Sequence, residues 1–140
     1  MKKKLLLILV LLSSLLACKK DSTEKNTDRL MGRWIVEQVS EVNYENGVEK
    51  KRLENFAQND NQVCDFRKDG TATVNLDGGD VEVRWALTDK LLKLTTDLEK
   101  TVDFNVRTLT NNSLMLEYEE DVEVQNGITY RNTIEFKMRK

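Results

Sequence analysis

The residues able to do chemistry in this 140-residue chain are few in kind. There are two cysteines, Cys18 and Cys64, and no histidine. Ser-His-Asp, Cys-His and His-zinc sites are therefore excluded, because each needs an imidazole as base or ligand. In the segment 62–66 the alternation puts Cys64 on the same face as Phe66, the position of a buried thiol serving as a small hydrophobe. No neighbour in sequence forms a redox pair with it. Glu117, Glu119, Glu120, Asp121 and Glu123 form an acidic run, which would bind Ca²⁺ only if about six oxygens converged. Along a strand Glu119, Asp121 and Glu123 share one wet face, so a solvated face is expected and no metal site. The segment Asp65–Gly70 places Arg67 where an EF-hand loop needs an oxygen donor. With 24 acidic residues, carboxylate pairs at a glycosidase separation arise by accident. Gly78-Gly79 falls between strands rather than opening a helix, which argues against a phosphate cradle. Against those 24 acids stand 22 Lys+Arg, a net charge of −2. That balance argues against a nucleic-acid partner, whose affinity comes from clustered Lys and Arg. The expectation is no enzyme activity, no cofactor and no nucleic acid.

The thiol with a chemical role is Cys18. Lys2, Lys3 and Lys4 precede an apolar run from Leu5 to Leu12, followed by Ser13, Ser14, Leu15, Leu16, Ala17 and Cys18. A basic start, a short apolar stretch and a small residue before a cut site are the order of a secretory signal. The stretch from Leu5 to Ala17 is too short to span a bilayer core, which takes about 20 helical residues. Leu15-Leu16-Ala17-Cys18 resembles a bacterial lipobox, which implies a signal peptide over 1–17, cleavage before Cys18 and acylation of its thiol. Two or three acyl chains, each CH₂ worth about 0.8 kcal/mol when buried, make such anchoring stable. Removing residues 1–17 with their three lysines shifts the net charge from −2 to −5. Residues 18–27 are polar after the Cys and read as a flexible tether, leaving 28–140 as the folded domain. Charged residues directly after the Cys resemble outer-membrane lipoproteins of the Bacteroidetes type, which implies an outer-membrane protein facing the periplasm or the cell surface.

The elements that must carry any site have a period of two. Ala72, Val74 and Leu76 alternate with polar residues, as do Val81, Val83, Trp85 and Leu87, then Val102, Phe104 and Val106, then Leu114, Leu116 and Tyr118, and finally Ile128, Tyr130, Ile134, Phe136 and Met138. One dry and one wet face means antiparallel strands. Turn residues break the pattern at Asn46-Gly47, Asp69-Gly70, Asp77 to Asp80, Asp89-Lys90, Asn111-Asn112 and Asn126-Gly127. The expected strands are 33–44, 48–53, 62–68, 71–77, 80–88, 91–97, 101–109, 113–124 and 128–138. Residues 54–61 read as a polar loop or one helical turn. No helix of useful length is available to cover one side, so closure of the sheet buries its dry face and removes its edges. The fold class is all-β, a small up-and-down antiparallel barrel of about eight strands, with a two-sheet sandwich as the structural alternative.

Three stretches resemble the lipocalin-like domains of Bacteroidetes lipoproteins. Leu30-Met31-Gly32-Arg33-Trp34 is similar to the opening of the first strand of lipocalin-type barrels. Phe66-Arg67-Lys68-Asp69-Gly70-Thr71 is similar to the F-x-x-D-G-T hairpin of this group, and Arg84-Trp85-Ala86-Leu87 with Leu91-Leu92-Lys93-Leu94 to its next strand pair. The resemblance implies that Gly32 and Trp34 cap one barrel end, with a late arginine, Arg131 or Arg139, stacked over the Trp34 ring. It also implies that the interior holds a small hydrophobic ligand. The candidate lining is Phe66, Val74, Val83, Trp85, Phe104, Leu116, Tyr118 and Tyr130, the two tyrosines offering polar contacts. The other reading is a solid-cored envelope module that engages a protein or glycan partner through its outer surface or loops, the segment 54–61 first among them.

Overall fold

Alternating sequences become strands here because each pleat sends successive side chains to opposite faces, and one face must be dried. The computed structural model describes residues 24–57, 60–76 and 78–140. The expected signal peptide over 1–17, Cys18 and the expected tether up to residue 23 lie outside the described residues. Residues 24–27, expected in the tether, belong to a short helix α1 over 24–30, because Leu30 at its end is drawn into the core.

The described residues form nine strands: β1 Gly32–Glu45, β2 Val48–Phe56, β3 Val63–Phe66, β4 Thr71–Asn75, β5 Val81–Thr88, β6 Leu91–Thr96, β7 Thr101–Leu109, β8 Ser113–Gln125 and β9 Ile128–Arg139. They pair antiparallel in chain order from β3 to β9, and β9 returns to β1. With β1 bonded to β3, the sheet closes on itself as an eight-stranded barrel, and β2 is added outside the ring.

The addition has a simple geometry. One edge of β1 bonds β9, from Ile35 opposite Arg139 to Glu45 opposite Tyr130. Its other edge bonds β3 over residues 32–35 and then β2 over residues 38–45. β2 and β3 thus lie one after the other along β1, separated at Glu37. There the Ala57 amide donates to the Glu37 carbonyl and the Val36 amide to the Gln62 carbonyl, each at 2.9 Å. β2 runs to Phe56, so part of the segment expected as loop is strand.

At 14, 13 and 12 residues, β1, β8 and β9 outrun the rest of the barrel. With β2 they project past its rim as a four-stranded extension in the order β2-β1-β9-β8. Its two hairpins turn at Asn46-Gly47 and Asn126-Gly127, where both residues of each pair have positive φ. That is the conformation tight hairpins demand and Asn-Gly tolerates. The tips are tied together: the Asn46 amide donates to the Thr129 carbonyl at 2.8 Å, and the Thr129 amide to Asn46 Oδ1 at 2.9 Å.

Candidate functional site

At the helix end the barrel is sealed. Trp34 is fully buried, and its indole Nε1 donates to the Leu30 carbonyl at 2.7 Å, so α1 is held across the opening by the ring it covers. Lys140, not an arginine, lies over Trp34, with Nζ 4.8 Å from the ring centroid. The expectation of Arg131 or Arg139 is corrected by strand parity. Met138 points inward, so Arg139 points outward, where it meets Glu37 and Asp60, and Lys140 returns over the barrel end. Its Nζ also donates to the Arg29 carbonyl at 2.9 Å. Gly32, at φ +107°, leaves space for it: a Cβ there would stand 3.2 Å from Lys140 Cε, and no L-side chain adopts that φ readily.

The hairpin between β3 and β4 closes the adjoining side. Asp69 Oδ1 accepts from the Thr71 amide at 3.0 Å and from its hydroxyl at 2.6 Å, bonds that hold the Asp69 carboxyl below its ordinary range. Arg67 spans the hairpin to the hydroxyls of Thr71 and Thr73, at 2.8 Å each, and to Glu82. The Trp85 indole donates to the carbonyls of Arg67 and Thr71, and its ring meets Phe66 edge-on with centroids 5.8 Å apart. Trp85 and Phe66 are therefore spent on the sealed end.

Inside, the candidate lining residues divide by height. Trp34, Leu92, Leu114, Leu116 and Met138 have no accessible surface and Phe66 almost none, so no void large enough for water touches them. Above them the Phe104 ring packs against Tyr118 and Phe136, with centroids 5.9 and 6.2 Å away. Val74, Val83, Leu94 and Phe104 are nearly buried, while Val39, Leu76, Tyr118 and Phe136 are only partly covered. At the rim Val81 and Val102, which share the inward phase of Val83 and Phe104, are 43% and 38% exposed. The inner face thus grades from closed to open. Tyr130 is not brought to this group: it sits on the extension between Glu45 and Glu123, and it is outside the core cluster.

The wall also parts beside the open end. β7 pairs with β8 only from Asn105 opposite Glu117 to Leu109 opposite Leu114. The first residues of β7 and the upper part of β8 therefore separate. A groove of about 580 Å³ fills this gap, lined by Leu91, Lys93, Asp103, Asn105, Tyr118 and Glu119 among others. Tyr118 is at once part of the packed interior and part of this groove.

The outer face of β1, β8 and β9 holds a polar cluster that the sequence reading missed. Ser40, Val42, Glu117, Thr133 and Glu135 are buried on the side turned away from the core, and Glu117 is 1% exposed. Glu117 and Glu135 lie directly opposite each other. Arg131 reaches Glu117 at 3.3 Å and Glu119 at 3.7 Å, and Arg107 stands 3.7 Å from Glu117. Arg52 donates to Glu135 at 2.7 Å and grips Glu49 with its other nitrogens. The Tyr44 ring lies 4.3 Å beneath the Arg131 guanidinium. Burial, with Glu135 and Glu117 close by, raises its phenol above the ordinary value against the opposing pull of Arg131. The hydrogen bonds from Glu49 and Glu135 hold Arg52 more firmly protonated than usual.

The acidic run does not share one face. A bulge between Glu119 and Asp121 shifts the register, so Glu119 lies opposite Thr133 on the outer face while Asp121 and Glu123 lie opposite Asn132 and Tyr130 on the inner one. Among the described residues no group of three or more Cys, Asp or Glu converges on a metal site.

Cys64 sits between Trp34 and Val74 in the ladder and is buried. Burial pushes its thiol from 9.0 up to about 12. The folded thiol keeps its proton between those values while the unfolded one loses it. Folding stability should be full below pH 9 and fall above it, by about 1.4 kcal/mol per pH unit at most. Urea titrations of the wild type and Cys64→Ala between pH 7 and 11 test this: the wild type should lose more stability across that range, and parallel profiles would refute it. The native thiol should also resist aromatic disulfide reagents at pH 8.

The chain matches no protein-family model, no curated protein and no solved structure.

Proposed function

We propose that this protein is a lipid-anchored, lipocalin-like protein of the bacterial outer membrane that holds the apolar part of a small amphipathic molecule at the open end of its barrel. The supporting observation is the gradient of its inner face: at the helix end Trp34, Phe66, Leu92, Leu114 and Met138 are sealed and only Trp85 and Leu109 are partly covered, whereas Val39, Leu76, Val81, Val102, Tyr118 and Phe136 are left partly uncovered at the other. Exposed apolar surface on the concave side of a soluble domain favours a guest that removes it from water. The guest enters the mouth only, since Phe66 and Leu116 are already packed. The acylated Cys18 anchors the domain to the outer membrane, facing the periplasm or the cell surface, and the polar residues after it act as a short leash.

Two measurements test this reading. Dodecanol, uncharged and of suitable length, should displace an environment-sensitive fluorescent probe from the purified chain, with a 1:1 end point. A Cys18→Ala variant expressed in a lipoprotein-processing bacterium should move from the membrane to the soluble fraction. Failure of dodecanol to bind refutes the ligand, and membrane association that persists in Cys18→Ala refutes the anchor. The full burial of Trp34, Leu114 and Leu116 favours a second reading if dodecanol fails: a solid-cored module that meets a protein or glycan partner on its outer surface.

A further inference from the structure

We infer that the sealed end of the barrel is a docking surface for an anionic lipid membrane, so that the open mouth and the extension point away from it. The inference rests on the lipid-anchor reading above and adds the orientation that an anchor alone leaves open. Its first ground is reach. The described chain starts in α1, which the Trp34 indole holds across the sealed end. From Cys18 to Glu24 there are six residue steps, at most about 22 Å when fully extended. β1 alone runs 14 residues from the sealed end to the tip of the extension, about 45 Å along the strand and roughly 35 Å along the barrel axis at the usual tilt. An acylated Cys18 therefore cannot let the tips rest on the membrane that holds it, which leaves the sealed end or a flank.

The second ground is charge, which chooses between these two. Lys25 and Arg29 on α1, Arg33 at the start of β1, and Lys68 and Lys90 in two hairpins are exposed at the sealed end, joined there by Lys140. Glu24, Asp28, Asp69 and Asp89 offset them only in part, and Lys19 and Lys20 follow Cys18 directly in sequence. On the extension the balance is reversed: Glu41, Glu119, Glu120, Asp121 and Glu123 are exposed there against Lys50 and Lys51. An anionic surface draws the first group and repels the second, within about 8 Å at physiological salt. A flank on the membrane would bring both groups against it, whereas the sealed end brings only the first. Among the described residues the most exposed large hydrophobics, Leu98, Phe56 and Val124, lie away from the sealed end, so its contact is with lipid headgroups and involves no insertion.

The mature lipidated chain on vesicles tests this, with one fluorophore placed through Thr88→Cys beside the sealed end or through Gln125→Cys at the tip of the extension. Cys64 is buried and stays unlabelled, and Cys18 is acylated. The vesicles are phosphatidylcholine, with or without about 30% phosphatidylglycerol, and carry a quencher on a lipid headgroup. On anionic vesicles the label at position 88 should be quenched about threefold more than that at position 125, and added salt should narrow the difference. The exposed double charge reversal Lys68→Glu with Lys90→Glu should lower the ratio toward its value on pure phosphatidylcholine, whereas Lys68→Arg with Lys90→Arg should keep it. Equal quenching of the two labels on anionic vesicles, or a ratio that neither pure phosphatidylcholine nor the charge reversal lowers, overturns the docking surface while the anchor stands. Failure of the chain to associate with either kind of vesicle overturns the anchor and this inference with it.

Discussion

Trp34→Ala should destabilise the domain by about 3–5 kcal/mol, the range for removing a fully buried large aromatic side chain. The ring is enclosed, its Nε1 bond to Leu30 holds α1 on the barrel end, and Lys140 rests over it. Truncation leaves a cavity, frees the Leu30 carbonyl and removes the surface on which Lys140 lies. Total stabilities of about 5–15 kcal/mol are usual for such domains, so the variant should be marginally folded at 25 °C. Trp34→Phe separates the contributions: it keeps most of the volume and loses the hydrogen bond, and should cost about 1–2 kcal/mol. Urea denaturation measures both. A loss below about 1 kcal/mol for Trp34→Ala would mean that the helix end is not the sealed end.

Arg131→Met should cost about 3 kcal/mol, because it strips the nearest cation from a carboxylate that is 1% exposed. Arg107, also paired with Glu117 at 3.7 Å, is 55% exposed and so compensates the buried charge only in part. The penalty lies in the stranded charge of Glu117 and in the lost cover over Tyr44, not in the ion pair as such. A second substitution, Glu117→Gln, should therefore restore part of the loss in the Arg131→Met background while being harmful alone. Denaturation of the four members of this cycle reads the coupling. Simple additivity would show that Glu117 does not depend on Arg131. The extension should be the first part to suffer, since the cluster ties β2, β1, β9 and β8 into one sheet beyond the ring.

The barrel was legible in the sequence because its inward residues keep strict alternation through β4, β5 and β6, where Ala72 to Leu94 follow the pleat without interruption. The long strands were harder because they are bulged. Register shifts between Val36 and Gln38, between Val106 and Thr108, and between Glu119 and Asp121 turn the chain by one residue each. Apolar residues three apart, Val36 with Val39 and Val106 with Leu109, are the trace such bulges leave. The same displacement explains why the acidic run is divided between two faces.

The polar cluster around Glu117 could not be read from spacing, because Arg52, Arg131 and Glu135 come from strands far apart in sequence. Lys140 over Trp34 follows from parity after Met138, a signal present in the last three residues. Tyr130 has the alternation of an inward residue, but it sits beyond the ring, where the extension has no opposite wall. Of the candidate lining, Phe66, Trp85 and Leu116 are structural, and Val74, Val83, Phe104 and Tyr118 remain within reach of the mouth.

The most direct test of the central claim is a ¹³C-methyl NMR titration of the protein with dodecanol. Binding at the open end should shift the methyl signals of Val39, Leu76, Val81 and Val102 and leave those of Val36, Leu92 and Leu114 at the sealed end unmoved. Shifts confined to Val122 and Val124 on the exposed extension, or spread through the sealed end, would contradict the account.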